Sequence, residues 1–141
     1  MIGEKYLPVL GKIIRHARRA QRELGPGYPE LVYHRALLNE LREAGEKVAY
    51  KPRLKVRYGG RVVGEVVPDL LVRKGNAVVL IECKLATEAF EQADFDQLRR
   101  YLRAYGREAV GLLLGFGGKR LAFRRVTMAR QRQMMTREEV G

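Results

Sequence analysis

Several residue types are scarce in this chain, and each scarcity excludes a class of protein. The only cysteine among the 141 residues is Cys83, which excludes a disulfide framework and a cysteine-based zinc site. The two histidines, His16 and His34, are too few and too far apart in the sequence to suggest zinc ligation. There is no secretory signal and no apolar run near the roughly 18 residues that a membrane-spanning helix needs. We therefore expect a soluble, cytoplasmic protein that does not act at a membrane.

Acidic residues are also scarce relative to basic ones. The chain has 28 Lys and Arg against 16 Asp and Glu, which gives a formal net charge of +12. Such an excess is an argument about partners, and polyanions are the obvious ones. The basic residues are spread over several predicted elements, which favours nucleic acid over a membrane surface. A solubilising surface explains the charge about equally well, so charge alone does not decide.

Hydrophobic periodicity predicts three helices and six strands. The helices are predicted over residues 6–24, about 29–44 and about 88–104. Alternation with period two predicts one strand over 47–58, with a basic outer face and an edge position indicated by Pro52. The other strands are predicted at 61–63, 66–72, 77–85, 109–116 and 120–126.

The predicted order of elements is α-α-β-β-β-β-α-β-β, which is typical of a mixed α/β fold. We expect a single domain over residues 1–127, followed by a polar, basic C-terminal tail over residues 128–141.

Three charged residues interrupt two otherwise apolar, strand-like runs. Asp69 lies in the first run, and Glu82 and Lys84 lie in the second. Charged side chains are rarely buried without a partner or a metal ion, so their position needs a reason. The pair Gly75-Asn76 between the runs is a two-residue hairpin signal.

A two-residue loop fixes which residues of the predicted hairpin face each other. Asp69 then falls opposite Glu82, and opposed Cβ atoms lie about 4.5–5.5 Å apart on the same face. Lys84 shares that face because strand side chains alternate, whereas Cys83 points to the other face. Opposed carboxylates repel each other, and a bound cation would reverse that effect. The alternative is a salt bridge on the wet face of an antiparallel sheet.

Four motifs resemble the PD-(D/E)XK nuclease superfamily. Pro68-Asp69 with Glu82-Cys83-Lys84 resembles its signature across a β-hairpin. The segment Gly27–Tyr33 is similar to the Gly-x-x-Glu-x-x-Tyr motif of the GxxExxY branch, and Gln97–Tyr101 is similar to the Gln-x-x-x-Tyr motif of RecB-like nucleases. The resemblance covers residues from about 10 to 127. It implies a restriction-endonuclease-like core, in which a mixed β-sheet is flanked by helices.

The resemblance also implies a divalent-metal site for phosphodiester hydrolysis. Asp69 and Glu82 are the expected ligands of Mg²⁺, for which Mn²⁺ can substitute, and the main-chain carbonyl of Cys83 is a candidate third oxygen. Lys84 is expected to orient or deprotonate the attacking water, or to stabilise charge in the transition state. Glu30 is the candidate third acid, on the metal directly or through water. The alternative for Glu30 is an interaction with the helix dipole.

The remaining expected site residues position others or contact phosphate. Gln97 and Tyr101 share one face of the third helix and are expected to position Lys84, the metal water or a phosphate. Tyr33 is expected either to orient Glu30 or to pack in the core. Sequence-independent phosphate contacts are expected from Arg15, Arg18, Arg19, Lys51, Arg53, Lys55 and Arg57.

Three classes of function stay open from the sequence. The first is a nuclease, with DNA favoured over RNA as the substrate. The second is a non-catalytic nucleic-acid-binding module, and the third is an accessory subunit whose basic surface meets an acidic protein. The opposed Asp69 and Glu82 favour the nuclease, because a pure binder does not need them. A homo-oligomer is compatible with the sequence but is not predicted by it.

Overall fold

A computed structural model describes residues 3–128 of the chain and confirms the mixed α/β fold class. Except for Met128, the predicted tail lies outside the described residues. None of the helices within residues 3–128 is long and apolar enough to cross a membrane. The helices are α1 (Tyr6–Leu24), α2 (Glu30–Glu43) and α3 (Gln92–Tyr105). The strands are β1 (Lys47–Tyr50), β2 (Leu54–Tyr58), β3 (Arg61–Val66), β4 (Leu70–Lys74), β5 (Ala77–Lys84), β6 (Val110–Gly115) and β7 (Ala122–Val126).

Five of the strands form a central sheet in the order β1-β4-β5-β6-β7. The parallel pair β5–β6 is joined by α3, and the other neighbours are antiparallel. The helices α1 and α2 pack on one face of the sheet and α3 packs on the other. Because side chains alternate along a strand, β5 sends Ile81 and Cys83 toward α1 and α2, and Leu80 toward α3. Because helices cover both faces of the sheet, an acidic side chain on β5 is largely shielded from solvent.

The strand predicted over residues 47–58 is in fact two strands in different sheets. β1 lies at the edge of the central sheet, whereas β2 pairs only with β3 in a separate two-stranded sheet. The break falls at Lys51, which has a φ of 48° and donates its main-chain N–H to the carbonyl of Asp69 at 2.8 Å. The predicted order was therefore wrong by one strand, because the apolar alternation continues across this tertiary contact.

Helix α3 begins at Gln92 rather than at about residue 88. Glu91 and Asp94 form a capping box, in which each side chain accepts a hydrogen bond from the main-chain N–H of the other. The segment before the cap runs instead along the end of β6, where Gly117 donates its N–H to the carbonyl of Ala86 at 3.0 Å. This contact fixes the chain just after Lys84, at the point where β5 ends.

Candidate active site

The β4–β5 hairpin has the predicted register. Its strands pair from Leu70 opposite Ile81 down to a two-residue turn, which brings Asp69 opposite Glu82. The main-chain N–H of Asp69 donates to Glu82 Oε1 at 3.0 Å, and that of Cys83 donates to Asp69 Oδ2 at 2.8 Å. Both carboxylates are thus held in place by main-chain groups. The side chain of Cys83 is buried on the opposite face, as predicted.

Glu82 is a buried carboxyl group beside a second acid. Only 6% of the residue is exposed. Burial and then the charge of Asp69 raise the pKa of Glu82 to about 8, although the N–H of Asp69 and the ammonium of Lys84 act in the opposite direction. The Nζ of Lys84 lies 3.8 Å from Glu82 Oε2. One ammonium therefore does not offset the cost of placing the two carboxylates together, and an added cation would.

Two residues of α3 hold Lys84 in position. Its Nζ donates to Gln97 Oε1 at 2.8 Å and lies 3.6 Å from Asp94 Oδ1. The contact with Gln97 brings together two residues that the motifs had singled out separately. Asp94 was missed by the sequence reasoning, although it lies on the same helix face as Gln97 and Tyr101. An acid in the first turn of a helix is also expected from capping, so that spacing was a weak signal.

Tyr101 borders both the core and the acidic pair. It is 7% exposed and packs in the cluster between α3 and the sheet. Burial and the negative charges of Glu82 and Asp69 raise the pKa of Tyr101 to about 12. Its hydroxyl therefore keeps its proton at neutral pH and is available as a hydrogen-bond donor next to the acids.

Glu30 enters the site from the opposite face of the sheet, as the first residue of α2. Partial burial raises its pKa, the ammonium of Lys84 lowers it, and the charges of Asp69 and Asp94 raise it further. Glu30 is nevertheless an exposed residue at the N-terminus of α2, and within residues 3–128 its side chain makes no hydrogen bond or ion pair. The structure thus brings Asp69, Glu82, Lys84, Asp94 and Gln97 into contact, whereas Glu30 is related to them by charge alone.

Two neighbouring residues of α2 have separate environments. The hydroxyl of Tyr33 donates to the carbonyl of Gly25 at 2.6 Å, and its ring is fully buried, which supports the packing alternative for this residue. His34, which the sequence reasoning set aside, is 4% exposed, and its Nδ1 lies 3.2 Å from the Tyr50 hydroxyl. Burial lowers the pKa of His34, while the nearby charge of Asp69 raises it.

The chemistry of the acidic pair fits Mg²⁺ or Mn²⁺. Within residues 3–128, no group of three His, Cys, Asp or Glu side chains is arranged to hold a metal ion. The candidate side-chain ligands are therefore the two carboxylates of Asp69 and Glu82. Asp69 Oδ2 and Glu82 Oε1 each accept a hydrogen bond from a main-chain N–H, whereas Asp69 Oδ1 and Glu82 Oε2 do not. Such hard oxygen donors suit Mg²⁺, which keeps several of its waters and needs only one or two carboxylates.

Comparison with known families shows that the PD-(D/E)XK nuclease superfamily matches residues 8–126. The chain belongs to this superfamily. Proteins of the PD-(D/E)XK nuclease superfamily generally depend on a divalent metal ion. A search of curated proteins gave no match.

Two solved structures are similar to this nuclease-superfamily chain. One is Hjc, a Holliday junction resolvase from the archaeal hyperthermophile Archaeoglobus fulgidus, with 23% identity and a TM-score of 0.43 over 71% of this chain and 73% of that one. The other is SSO0001, with 18% identity and a TM-score of 0.49 over 71% of this chain and 52% of that one. The chain thus spans about half the length of SSO0001. At these values neither similarity carries an argument about activity.

The predicted phosphate-binding residues of this PD-(D/E)XK protein fall in two places. Arg15, Arg18 and Arg19 lie on α1, which covers the face of the sheet opposite α3. Arg18 lies over the ring of Phe123 at 5.6 Å, and Arg19 pairs with Glu40 at 3.5 Å. Two of the three arginines of α1 are therefore already engaged with neighbouring side chains.

The other four basic residues do not share one strand face, because the predicted strand is broken. Lys51 lies at the break, next to Asp69. Arg53 pairs with Glu65 of β3 at 3.8 Å. Lys55 and Arg57 lie exposed on β2. The predicted basic face is thus reduced to β2, on a hairpin that projects from the central sheet.

Proposed function

We propose that this protein is a metal-dependent nuclease that hydrolyses phosphodiester bonds of nucleic acid, with DNA as the favoured substrate. The observation that carries the proposal is the buried Glu82, which faces Asp69 and has Lys84 beside it. Opposed acids repel a phosphate unless a cation lies between them, so they serve a metal-dependent enzyme and not a simple phosphate binder. The place of Glu30 at the start of α2 supports membership of the GxxExxY branch.

The ligands of the metal ion would come from the β4–β5 hairpin. Asp69, Glu82 and the main-chain carbonyl of Cys83 would hold Mg²⁺ or Mn²⁺, and Glu30 would act on it directly or through water. Such an ion, when bound, neutralises phosphate charge and lowers the pKa of a water at the site. The fixed carboxylates lose little entropy on binding the ion, because main-chain N–H groups already hold them.

The remaining residues act on the water and the phosphate. Lys84 orients or deprotonates the attacking water, or stabilises the charge that develops on the phosphate. Gln97 and Asp94 fix the ammonium of Lys84 from the side of α3. Tyr101 supplies a neutral O–H donor next to the acids. As water adds to phosphorus it releases one proton to solvent, or to Lys84 when that amine is neutral. The bond to the leaving oxygen breaks, and that oxygen takes up a proton.

A cleavage assay with matched variants tests the proposal. Purified protein is incubated with single-stranded DNA, duplex DNA and RNA, in Mg²⁺, Mn²⁺ or EDTA. We expect cleavage of DNA that requires metal and is abolished in Asp69→Asn and in Lys84→Ala. Asp96→Asn is the control, because Asp96 is an exposed acid of α3 whose contacts are with Gln92 and Arg99 on its own helix.

Each alternative has a distinct outcome in the same experiment. Tight binding of nucleic acid without cleavage in any metal would contradict the enzyme and support the binding module. Absence of both binding and cleavage would point to the accessory subunit. Cleavage that persists in Asp69→Asn would show that another site is responsible.

A further inference from the structure

An open groove of about 390 Å³ lies between the β2–β3 hairpin and α3. Four basic residues border it, Lys55 and Arg57 from β2 and Arg100 and Arg103 from α3, and its other lining residues are Val56, Val66, Ala104 and Gly106, with no acid among them. Within residues 3–128, none of these four side chains takes part in an ion pair. Glu65 of β3 lies opposite Lys55 in the strand register and pairs with Arg53 at 3.8 Å, so the excess positive charge of the groove rests on Arg57, Arg100 and Arg103.

Two lining residues, Val66 and Arg100, connect the groove to the acidic site. β3 ends at Val66, three residues before Asp69, and Val66 packs in the same cluster as Tyr101. Arg100 is the neighbour of Tyr101 in α3, one residue from a side chain that borders the acids. From its base at Leu54–Val66 the hairpin extends through four further steps to Tyr58–Arg61, a length of about 13 Å at about 3.3 Å per residue.

We propose that this groove binds the sugar-phosphate backbone of the substrate strand on one side of the scissile phosphate. The inference rests on the proposed nuclease function and adds the path of the substrate to it. Asp69 and Glu82 repel phosphate until a metal ion is present, so affinity for the backbone has to come from elsewhere. Lys and Arg side chains supply most sequence-independent contacts to phosphates, and a regularly charged polymer satisfies several cations at once.

Salt-dependent binding tests the groove without any requirement for cleavage. Binding of labelled single-stranded and duplex DNA is measured by fluorescence anisotropy in EDTA over a series of salt concentrations. The variant carries Arg57→Gln, Arg100→Gln and Arg103→Gln. The control carries Arg22→Gln, Arg42→Gln and Arg125→Gln, which removes the same charge from exposed positions of α1, α2 and β7.

We expect the groove variant to bind DNA about tenfold or more weakly than the wild type. For duplex DNA, the negative slope of log K against log salt is expected to become less steep by about 2 to 3. The control is expected to keep the wild-type slope. Equal losses in both variants would overturn the groove, because they would show that the net charge acts as a diffuse field. Unchanged binding in the groove variant would overturn it as well.

The outcome is separable from that of the nuclease proposal. If the groove variant loses the expected affinity while the wild type cuts nothing in any metal, the groove stands and the enzyme does not. If the wild type cuts and the groove variant keeps its affinity, the enzyme stands and the groove does not. Circular dichroism melts of all three proteins show whether the substitutions have left the fold intact.

Discussion

The two hairpins of this protein lie next to each other in the sequence and have opposite environments. In the β4–β5 hairpin, seven of the eight positions of β5 are buried. In the β2–β3 hairpin, five of the six positions of β3 are exposed. The buried hairpin carries the carboxylates, and the exposed one carries basic side chains. The contrast separates the requirements of chemistry from those of binding. Burial shifts the pKa of a charged group, whereas exposure leaves a charge accessible to a large partner.

The buried hairpin places charge where water is largely excluded. Burial raises the pKa of Glu82, and main-chain N–H groups fix the directions of both carboxylates, which favours chemistry. Charged side chains on the exposed hairpin are open to solvent, and they are useful only as a set that meets another charged surface. A substitution is therefore expected to act on reaction rate in the first hairpin and on affinity in the second.

The largest expected effect is that of Glu82→Gln on cleavage. Loss of one of two carboxylate ligands is expected to reduce metal-dependent cleavage by about a thousandfold, or roughly 4 kcal/mol of barrier. Single-turnover rates in Mg²⁺ measure this effect. Asp96→Asn provides the comparison at an exposed acid. A rate within about tenfold of wild type would remove Glu82 from the proposed site.

The same variant is expected to be more stable than wild type in EDTA at high pH. The unfolded chain releases the Glu82 proton near the ordinary pKa of 4.5, whereas the folded chain holds it to about 8. The free energy of unfolding of wild type therefore falls as pH rises through this window. Glu82→Gln lacks that loss and gains several kcal/mol above the window, with little gain below it. Urea unfolding at several pH values measures the difference, and a constant difference would contradict it.

The next effect in size is that of Gln97→Leu on catalysis. Without the Oε1 acceptor the ammonium of Lys84 loses its fixed position, and we expect kcat to fall about 10- to 100-fold with little change in KM. Gln97→Glu keeps an acceptor and is expected to retain more activity than Gln97→Leu. Gln92→Leu, which alters an exposed amide of the same helix, serves as the control. Equal loss in Gln97→Leu and Gln97→Glu would argue against a positioning role.

Glycine substitutions compare the packing of the central sheet with that of the exposed β2–β3 hairpin. A Cβ at Gly111 of β6 would come within 2.7 Å of the Leu98 side chain, so Gly111→Ala is expected to lower the free energy of unfolding by about 1–3 kcal/mol. At Gly64 of β3 nothing lies within 4 Å of the added atom, and Gly64→Ala is expected to be neutral or to stabilise by up to about 1 kcal/mol. Denaturant unfolding of the pair measures both. Similar losses at both positions would contradict the difference in packing.

The smallest expected effect is that of Tyr58→Ser at the tip of the exposed hairpin. Tyr58 is 80% exposed, so its ring contributes little buried area. We expect the free energy of unfolding to change by less than about 0.5 kcal/mol. A larger loss in thermal or denaturant unfolding would show that this tip is covered in solution.

The active-site hairpin could be predicted because its determinants are local. The Gly75-Asn76 turn and two apolar runs fix the register within a few residues, and alternation then assigns Glu82 and Lys84 to one face. The positions of Gln97 and Glu30 came from resemblance to a family and not from spacing. Their approach to the hairpin depends on how two helices pack on a sheet, which no local pattern records.

The break at Lys51 was not predicted, because Pro52 was interpreted as an edge position within one strand and the apolar alternation resumes at Leu54. At the break, Lys51 donates a hydrogen bond to Asp69, which lies 18 residues further along the chain and directly precedes β4. Asp94 was missed for a related reason, since its capping contact is local while its contact with Lys84 is not. Both misses arise where a tertiary contact acts on a residue that already has an ordinary local explanation.

The only cysteine of the chain follows Glu82 directly, and its main chain helps to hold the acidic pair. Cys83 is fully buried, and its main-chain N–H donates to Asp69. Burial also raises the pKa of the thiol, so the reactive thiolate is scarce as long as the strand stays packed. A thiol reagent can therefore modify the protein only when β5 opens. The protein carries its own reporter of local opening, and a cation that ties Asp69 to Glu82 would show itself as slower labelling.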